Sequence, residues 1–453
     1  MNSAIKKIIS RLDVHLQNIL DDSHVQEVYR GTLLAFVLKV FSAGLAFSFN
    51  VAVARLLGAD GAGVYFLALA VTTIASVIGR VGLDNTLLRF VAVHASHEEW
   101  DKVKGVYVIG MRMVVIAASL ISIIVFLASP WMAISLFHKP ELSDPLRWMS
   151  LSILPFALLN LHAESLKGLK QIRDAMLVQG IGLPLFGLLL IVPMAQTAGV
   201  LGVCFSYLAA VFLMAILAVL VWQKHVTVYI VEPSSYSLKE MWSSCYPLFK
   251  VSFVGVLLTW APLFMLGIWV SSDQVGIFGA ALRISILVSF VLLTVNNVSA
   301  PKFAELYSAR KLQELEKTAR HTAMLTTIFA SPLLLIFIFG GHQVMALFGE
   351  SFVHGYLVLV ILSVGQFVNA VTGSSGFILT MSGHENEAWK AVLYSVCLLL
   401  SFSILLIPTY GINGAAFAVM VSEITKNSLL VYYCNNKVEI NPLPFKLIRL
   451  GSN

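Results

Sequence analysis

Long apolar stretches separated by short polar clusters dominate this sequence. Runs such as GVYVIGMRMVVIAASLISIIVFLA (105–128) and AVLYSVCLLLSFSILLIP (391–408) are each long enough to cross about 30 Å of hydrocarbon as a helix. A membrane barrel requires apolar and polar residues to alternate at every second position, and the sequence shows no such alternation. The pattern therefore predicts an all-α polytopic membrane protein.

The apolar windows predict twelve transmembrane helices in two six-helix bundles. The predicted spans are 31–55, 63–92, 105–129, 146–168, 174–195, 198–222, 246–270, 275–302, 320–340, 355–380, 387–408 and 412–434. The predicted units are an amphipathic cytoplasmic segment 1–30, an N-terminal lobe 31–222, a cytoplasmic linker 223–245, a C-terminal lobe 246–435 and a cytoplasmic tail 436–453.

Composition and charge agree with this class and add an orientation. The chain is 58% hydrophobic and 12% charged, whereas soluble domains carry about 25% charged residues. About 21 of the 30 Lys and Arg residues fall in the N-terminal segment, the tail and the loops on their side, and about three fall on the other side. Because short cytoplasmic loops carry the basic excess, both termini are expected in the cytoplasm. The net charge of +6 then needs no nucleic acid to explain it.

An internal repeat relates the two lobes at an offset of about 212 residues. The matches are KVFSAG (39–44) with KVSFVG (250–255), ADGAGVYF (59–66) with SDQVGIFG (272–279), Leu136–Phe137 with Leu347–Phe348, and TAGVLGVCF (197–205) with TYGINGAAF (409–417). Six spans per lobe is an even number, so the repeat is parallel. Two such bundles around a cavity are typical of alternating-access transporters. A duplicated bundle without a transport role is the alternative.

Four stretches carry a family resemblance. They are ARLLGADGAGVYFLALAV (54–71), GLDNTLLRFVA (82–92), PKFAELYSARKLQELEKTAR (301–320) and YGINGAAFAVMVSE (410–423). In order and position they resemble the polysaccharide transporter family, the Wzx-type oligosaccharide-lipid flippases, whose superfamily also holds multidrug and toxin extrusion antiporters and lipid II flippases.

This resemblance implies a V-shaped pair of six-helix bundles in the bacterial inner membrane. It also implies a cargo, an undecaprenyl-diphosphate-linked oligosaccharide that moves from the cytoplasmic to the periplasmic leaflet for O-antigen, capsule or exopolysaccharide synthesis. A polysaccharide polymerase or ligase would act next and is an expected partner, as are membrane lipids. Nothing in the sequence requires an oligomer, so a monomer is expected.

Charged residues inside predicted spans are the candidate functional groups, because a charge at mid-bilayer costs about 2.5–3.5 kcal/mol on insertion scales. The candidate substrate-binding cations are Arg80, Arg283, Lys39, Lys250 and Arg112. The candidate ion-coupling or ion-pairing acids are Asp84, Glu164 and Glu423. Paired guanidinium donors suit phosphate oxygens, so a cationic interior fits a diphosphate.

Each candidate also has a simpler interpretation. Asp84 follows Arg80 by four residues, so the two can form a helix-bracing ion pair. Arg283 has no acidic residue one turn away and needs a cross-helix partner or an anionic ligand. Lys250 and Arg112 lie near predicted cytoplasmic ends, where long side chains reach the interface.

Other functions find less support in the sequence. No GxxxxGK[ST] loop, HExxH motif or Ser-His-Asp signature is present, and the four cysteines lack metal-ligand spacing, so neither an enzyme, a metal nor an organic cofactor is predicted. Energy is expected from a proton or sodium gradient, or from removal of product. A multidrug or cation antiporter of the same fold is the second hypothesis, and a scaffold within a glycan-assembly complex is the third.

Overall fold

The computed structural model describes residues 23–227, 232, 234 and 236–444, and the regular secondary structure in this part of the chain is helical. Its α-helices are α1 (Ser23–Arg80), α2 (Leu83–Ser96), α3 (Trp100–Trp131), α4 (Ser143–Ser150), α5 (Ile153–Gly168), α6 (Ile172–Met176), α7 (Leu183–Val226), α8 (Leu238–Trp269), α9 (Ser272–Ser285), α10 (Phe290–Ser308), α11 (Leu312–Ala346), α12 (Tyr356–Thr372), α13 (Ser375–Met381) and α14 (Glu385–Tyr433). Short π or 3-10 turns lie at Met132–Leu136, Pro140–Leu142, Leu177–Gly182, Ile286–Ser289, Glu350–Gly355 and Cys434–Val438.

Within those residues, eight helical segments are long and apolar enough to cross a membrane. Three of them run to 44, 55 and 54 residues, far beyond the roughly 20 that one crossing needs. Each of the three contains one glycine with positive φ, at Gly58 (φ 67°), Gly199 (φ 55°) and Gly411 (φ 54°). Glycine adopts such torsions without a Cβ clash. Each break falls between two predicted spans or within one residue of such a boundary.

Large apolar side chains cover the outer surface of the bundle. Ile116, Leu127, Leu405 and Phe339 are between 68% and 81% exposed. A soluble protein rarely leaves so many apolar groups in water, whereas lipid chains accommodate them. The protein is therefore a multi-pass membrane protein, as its sequence predicts.

Backbone breaks also interrupt spans that the sequence presents as continuous. Predicted span 63–92 breaks at Val81 and Gly82, where φ is 51° and 78°, and predicted span 275–302 contains the Ile286–Ser289 turn. Hydropathy does not register these breaks because the flanking residues stay apolar. Of the predicted terminal and linker segments, residues 1–22, 228–231, 233, 235 and 445–453 lie outside the described part.

The two halves, residues 23–227 and 236–444, cross closely where the repeat aligns Gly63 with Gly276. A Cβ added to Gly63 would lie 1.7 Å from the Ser272 carbonyl oxygen, and one added to Gly276 would lie 2.0 Å from that of Ala59. The second segment of α1 and the start of α9 therefore touch backbone to backbone. The contact is reciprocal, which is the geometry expected of related halves.

Candidate functional site

Arg80 and Asp84 form an ion pair at the break between α1 and α2. Arg80 Nη1 lies 3.1 Å from Asp84 Oδ2, and the two side chains are only 11% and 14% exposed. The pairing predicted from their spacing is confirmed, although the helix does not run unbroken between them. The left-handed turn at Val81–Gly82 thus starts a new helix without separating the charges.

Three buried polar atoms at this pair lack a hydrogen-bond partner among the described residues. They are Arg80 Nε, Asp84 Oδ1 and, one turn earlier on α1, Ser76 Oγ. Leaving a buried polar group unsatisfied costs about 1–3 kcal/mol, and more when the group is charged. One donor, one acceptor and one hydroxyl therefore remain free for water or a ligand.

Further polar groups on α5 and in the π turn before α7 extend the pair into what we call the Arg80 network. Glu164 is near enough to attract the Arg80 guanidinium and pairs with Lys167 at 2.6 Å. Lys167 Nζ also donates to Gln179 Oε1 (3.2 Å), and Gln179 Nε2 donates to Asn160 Oδ1 (2.8 Å). The network thus ties together side chains from four segments of the N-terminal half.

Lys39 adds a second ammonium beside this network. It is half-buried on α1, and its ammonium lies near enough to the Lys167 ammonium for the two to repel each other. Three cations, Lys39, Arg80 and Lys167, then face two acids, Asp84 and Glu164. The local excess of positive charge is typical of a place that receives an anion.

The Arg80 network lies where the N-terminal half meets α8 of the other half. A Cβ on Gly82 would lie 2.5 Å from both the Cys245 carbonyl oxygen and the Phe249 nitrogen. Next to Asp84, Asn85 Nδ2 donates to Ser252 Oγ at 3.3 Å. A movement between the halves would therefore act directly on the backbone that carries the ion pair.

Arg283, on α9, has a different environment. Its Nη1 donates to the Gly279 carbonyl at 2.8 Å, and its guanidinium carbon lies 3.8 Å from the centre of the Phe66 ring, which belongs to the other half. Within the described residues it forms no salt bridge. In the repeat that aligns Gly63 with Gly276, Arg283 corresponds to position 70, so at 1.5 Å per residue it lies roughly 15 Å from the level of Arg80.

The remaining candidates lie apart from these arginines. Glu423 pairs with Lys426 at 2.5 Å and accepts a hydrogen bond from Asn427 on α14. Lys250 is exposed, with its ammonium 4.3 Å from the centre of the Tyr246 ring.

Arg112 is exposed on α3 and shares a face of the helix with Ile116 and Leu120, which are 71% and 57% exposed. That face points away from the Arg80 network.

Sequence reasoning missed Ser76, Lys167 and Gln179. Lys167 sits at the end of a predicted span, where a lysine is typical of topology, yet its position three residues after Glu164 was a usable signal. Serine and glutamine within apolar helices give no comparable signal. In the described part of the chain, no group of three or more His, Cys, Asp or Glu residues has the geometry of a metal site.

Two relatives with similar sequences are glycan-related. The capsular polysaccharide biosynthesis protein CapF of Staphylococcus aureus is 27% identical over 196 residues, which is 43% of this chain and 49% of CapF. The probable low-salt glycan biosynthesis flippase Agl15 of Haloferax volcanii is 22% identical over 421 residues, 91% of this chain and 85% of Agl15. The match thus spans about half the length of CapF and most of Agl15.

Solved structures share the fold at low sequence identity. An inward-facing multidrug resistance transporter of the MATE family, in the MOP superfamily, has a TM-score of 0.73 at 13% identity and covers 90% of this chain and 98% of its own. The lipid II flippase MurJ in an inward closed conformation has a TM-score of 0.70 at 15% identity, covering 89% and 88%. The sequence profile of the polysaccharide biosynthesis protein family matches residues 28–307. Since that match spans more than half of the chain, this protein belongs to the polysaccharide biosynthesis protein family.

Proposed function

We propose that this protein is a flippase that carries an undecaprenyl-diphosphate-linked oligosaccharide from the cytoplasmic to the periplasmic leaflet by alternating access. Family membership and the glycan-flippase name of Agl15 support the class of cargo. The observation that carries the proposal is the Arg80 network, a partly buried excess of positive charge at the junction of the halves with an unpartnered guanidinium nitrogen. A diphosphate supplies oxygens for such a donor.

The proposed topology has twelve crossings in two six-helix lobes, with both termini in the cytoplasm. The glycine breaks in α1, α7 and α14 support a pair of crossings in each of these helices. In this orientation the Arg80 network belongs to the cytoplasmic half of the membrane and Arg283 to the periplasmic half. A diphosphate released from Arg80 then meets a second guanidinium roughly 15 Å further along.

Arg283 is the proposed second phosphate contact. In this structure its guanidinium stacks on Phe66 across the two halves, so separation of α1 from α9 would expose it. Placing two moderate cationic sites at different levels lowers the cost of moving a charged headgroup. It also avoids a single tight site from which release would be slow.

We also propose that transport of the glycan is coupled to a proton or sodium gradient. The acids available for it are Asp84, Glu164 and Glu423, of which Asp84 has an unpartnered buried oxygen. We propose that the protein works as a monomer and delivers its cargo to a polymerase or ligase in the same membrane.

The test is transport by the purified protein in vesicles that contain an undecaprenyl-diphosphate-linked glycan, with leaflet exposure read by a lectin. Arg80→Gln and Arg283→Gln should each slow flipping about tenfold or more, the equivalent of about 1.4 kcal/mol. Arg89→Gln, a matched control at an exposed arginine of α2, should flip normally. Wild-type flipping by both test variants would refute the proposed site.

A multidrug or cation antiporter of this fold is the competing function. A cationic drug needs acidic groups in excess, whereas cations outnumber acids around Arg80. Efflux of a cationic dye by the wild-type protein in place of glycan flipping would favour the antiporter. A scaffold role predicts normal glycan synthesis by all arginine variants.

A further inference from the structure

The two repeated Leu-Phe segments lie at the same end of the molecule, which we call the distal end. In the N-terminal half the segment is LFHKPE (136–141), and in the C-terminal half it is LFGE (347–350). Each follows a long helix, α3 or α11, and each reaches the opposite half. No part of the transport site described above uses them.

The phenylalanines of these segments make reciprocal contacts. Phe137 is fully buried and packs edge-on against Phe264 of α8, with ring centres 5.3 Å apart. Phe348 is fully buried and packs edge-on against Phe47 of α1, at 5.6 Å. Each half thus inserts one aromatic ring against the first long helix of the other half. Such pairs contribute about 0.5–1.5 kcal/mol beyond burial.

Charged groups reinforce the first of these contacts. Lys139 is buried, and its Nζ donates to the Gly267 carbonyl at 2.6 Å and to the Phe137 carbonyl at 3.1 Å. Gly267 lies in the last turn of α8, where carbonyls lack helical partners and the helix dipole favours a cation. Burial lowers the pKa of Lys139, and the nearby Glu141 carboxylate opposes that shift.

The next residues complete the arrangement with the opposite charge. Glu141 Oε1 accepts a hydrogen bond from Ser272 Oγ at 2.9 Å, in the first turn of α9. The helix dipole favours an anion at that end. One six-residue segment therefore places a cation at the end of α8 and an anion at the start of α9, two helix ends that follow one another in the chain.

A weaker contact joins the second Leu-Phe segment to α1, with the cation on the helix and the carbonyl on the segment. Arg55 lies in the part of α1 that corresponds in the repeat to the end of α8, and its Nε donates to the Leu347 carbonyl at 2.8 Å. Arg55 is exposed, however, and exposed polar contacts contribute little because water competes for them. The Lys139 contact should therefore dominate.

A repulsion opposes closure at the same place. The carboxylates of Glu141 and Asp273 each lie near enough to the Asp60 carboxylate to repel it. Asp60 and Glu141 line a cleft between the halves that Lys139 and Trp269 also line. Lys139 offsets the charge of the nearby Glu141 carboxylate.

We propose that segments 136–141 and 347–350 form a paired latch that holds the two halves together at the distal end, with Lys139 as its dominant bond. Opening of this end requires the Lys139–Gly267 and Glu141–Ser272 contacts to break together, after which the repulsion between Asp60 and Asp273, which belong to opposite halves, favours separation. The latch rests on the proposed alternating-access function. Its contacts would control one of the two states of that transport cycle, the one in which the distal end is closed.

The test measures the distance between the halves without any substrate. Spin labels on cysteines introduced at Gln196 and Gln343, exposed distal residues of opposite halves, report the separation by pulsed electron paramagnetic resonance in lipid vesicles. Cys397 is the one exposed native cysteine in the described part and is first changed to serine. Lys139→Met should add a longer-distance population, and Arg55→Met a smaller one.

Lys170→Met is the matched control, since Lys170 is an exposed lysine at the opposite end, and it should leave the distances unchanged. If Lys139→Met does not fold, Ser272→Ala removes the Glu141 contact without creating a buried cavity and should also lengthen the distance. Wild-type distances in the folded Lys139→Met or Ser272→Ala protein would overturn the latch. Lengthened distances in Lys139→Met together with wild-type flipping by Arg80→Gln and Arg283→Gln would instead refute the proposed transport site and leave the latch in place.

Discussion

In the N-terminal half, ionisable side chains from α1, α2 and α5 lie together around Arg80. In the C-terminal half they lie apart, with Arg283 stacked on an aromatic ring and Glu423 paired with Lys426 on a different helix. Aligning Gly63 with Gly276 places Leu293 opposite Arg80 and Asn297 opposite Asp84. The two halves therefore share the repeated sequence pattern. The buried charged side chains, in contrast, have no counterparts at the aligned positions of the other half.

This difference separates structural positions from functional ones. Groups that the fold needs in both halves, such as the crossing glycines and the Leu-Phe segments, occur twice. A buried ion pair is weak evidence for stability, because apolar residues of similar size often stabilise as well. The Arg80–Asp84 pair has no counterpart in the other half and has orphaned atoms beside it, which is the arrangement that the proposed binding role requires.

The largest expected effect on stability comes from removing one partner of the Arg80–Asp84 ion pair. Arg80→Ala leaves the Asp84 carboxylate buried without its cation, and removal of one partner of a buried pair costs about 3–5 kcal/mol. Thermal unfolding in detergent should show a clear decrease in Tm. Arg89→Ala should stay within about 0.5 kcal/mol of wild type. An unchanged Tm for Arg80→Ala would mean that the pair is solvated.

The next largest effect on stability is expected where α1 crosses α9, from the same substitution made in each half. Gly63→Ala and Gly276→Ala each place a methyl group within 2.0 Å of a backbone oxygen, so α1 and α9 must move apart at a cost of about 1–3 kcal/mol. Because the contact is reciprocal, the two variants should lower Tm by similar amounts. A large difference between them would show that the halves are not equivalent at the crossing.

Substitution of Arg283 should reduce flipping strongly but change stability little, in contrast to substitution of Arg80. Arg283→Leu removes a cation–π contact worth about 0.5–2 kcal/mol and leaves no carboxylate unpaired. Tm should change less than in Arg80→Ala, while glycan flipping decreases strongly. Normal flipping would assign Arg283 to packing alone.

The smallest effects are expected at the exposed cations. Lys250→Ala and Arg112→Ala should each change Tm and flipping rate little, since neither side chain touches the Arg80 network. Measured in the same vesicles, a severe loss at either site would extend the binding surface toward α8 or α3.

Much of this could be predicted from the sequence, and the limits have physical causes. Apolar run length predicts the helical membrane-spanning class, and the four-residue spacing predicts the Arg80–Asp84 pair. The break at Val81–Gly82 is not visible in hydropathy, because a left-handed turn depends on local torsions between two apolar stretches. Contacts between segments far apart in the chain, such as Lys139 with Gly267, follow from packing that no local pattern specifies.

The repeat carries part of that missing information. It pairs Gly63 with Gly276 and Phe137 with Phe348, and these residues prove to make reciprocal contacts between the halves. It also marks Arg80 and Asp84 as residues without a counterpart. It does not show the orphaned nitrogen of Arg80, because hydrogen-bond satisfaction depends on side chains from several helices.

The most direct test replaces the Arg80–Asp84 pair with the residues of the other half. The double variant Arg80→Leu, Asp84→Asn removes both charges, so its Tm should exceed that of Arg80→Ala and approach the wild-type value. Flipping of the undecaprenyl-diphosphate-linked glycan in vesicles should nevertheless fall about tenfold or more, equivalent to about 1.4 kcal/mol. A stable double variant that flips the glycan at the wild-type rate would contradict a binding role for the pair.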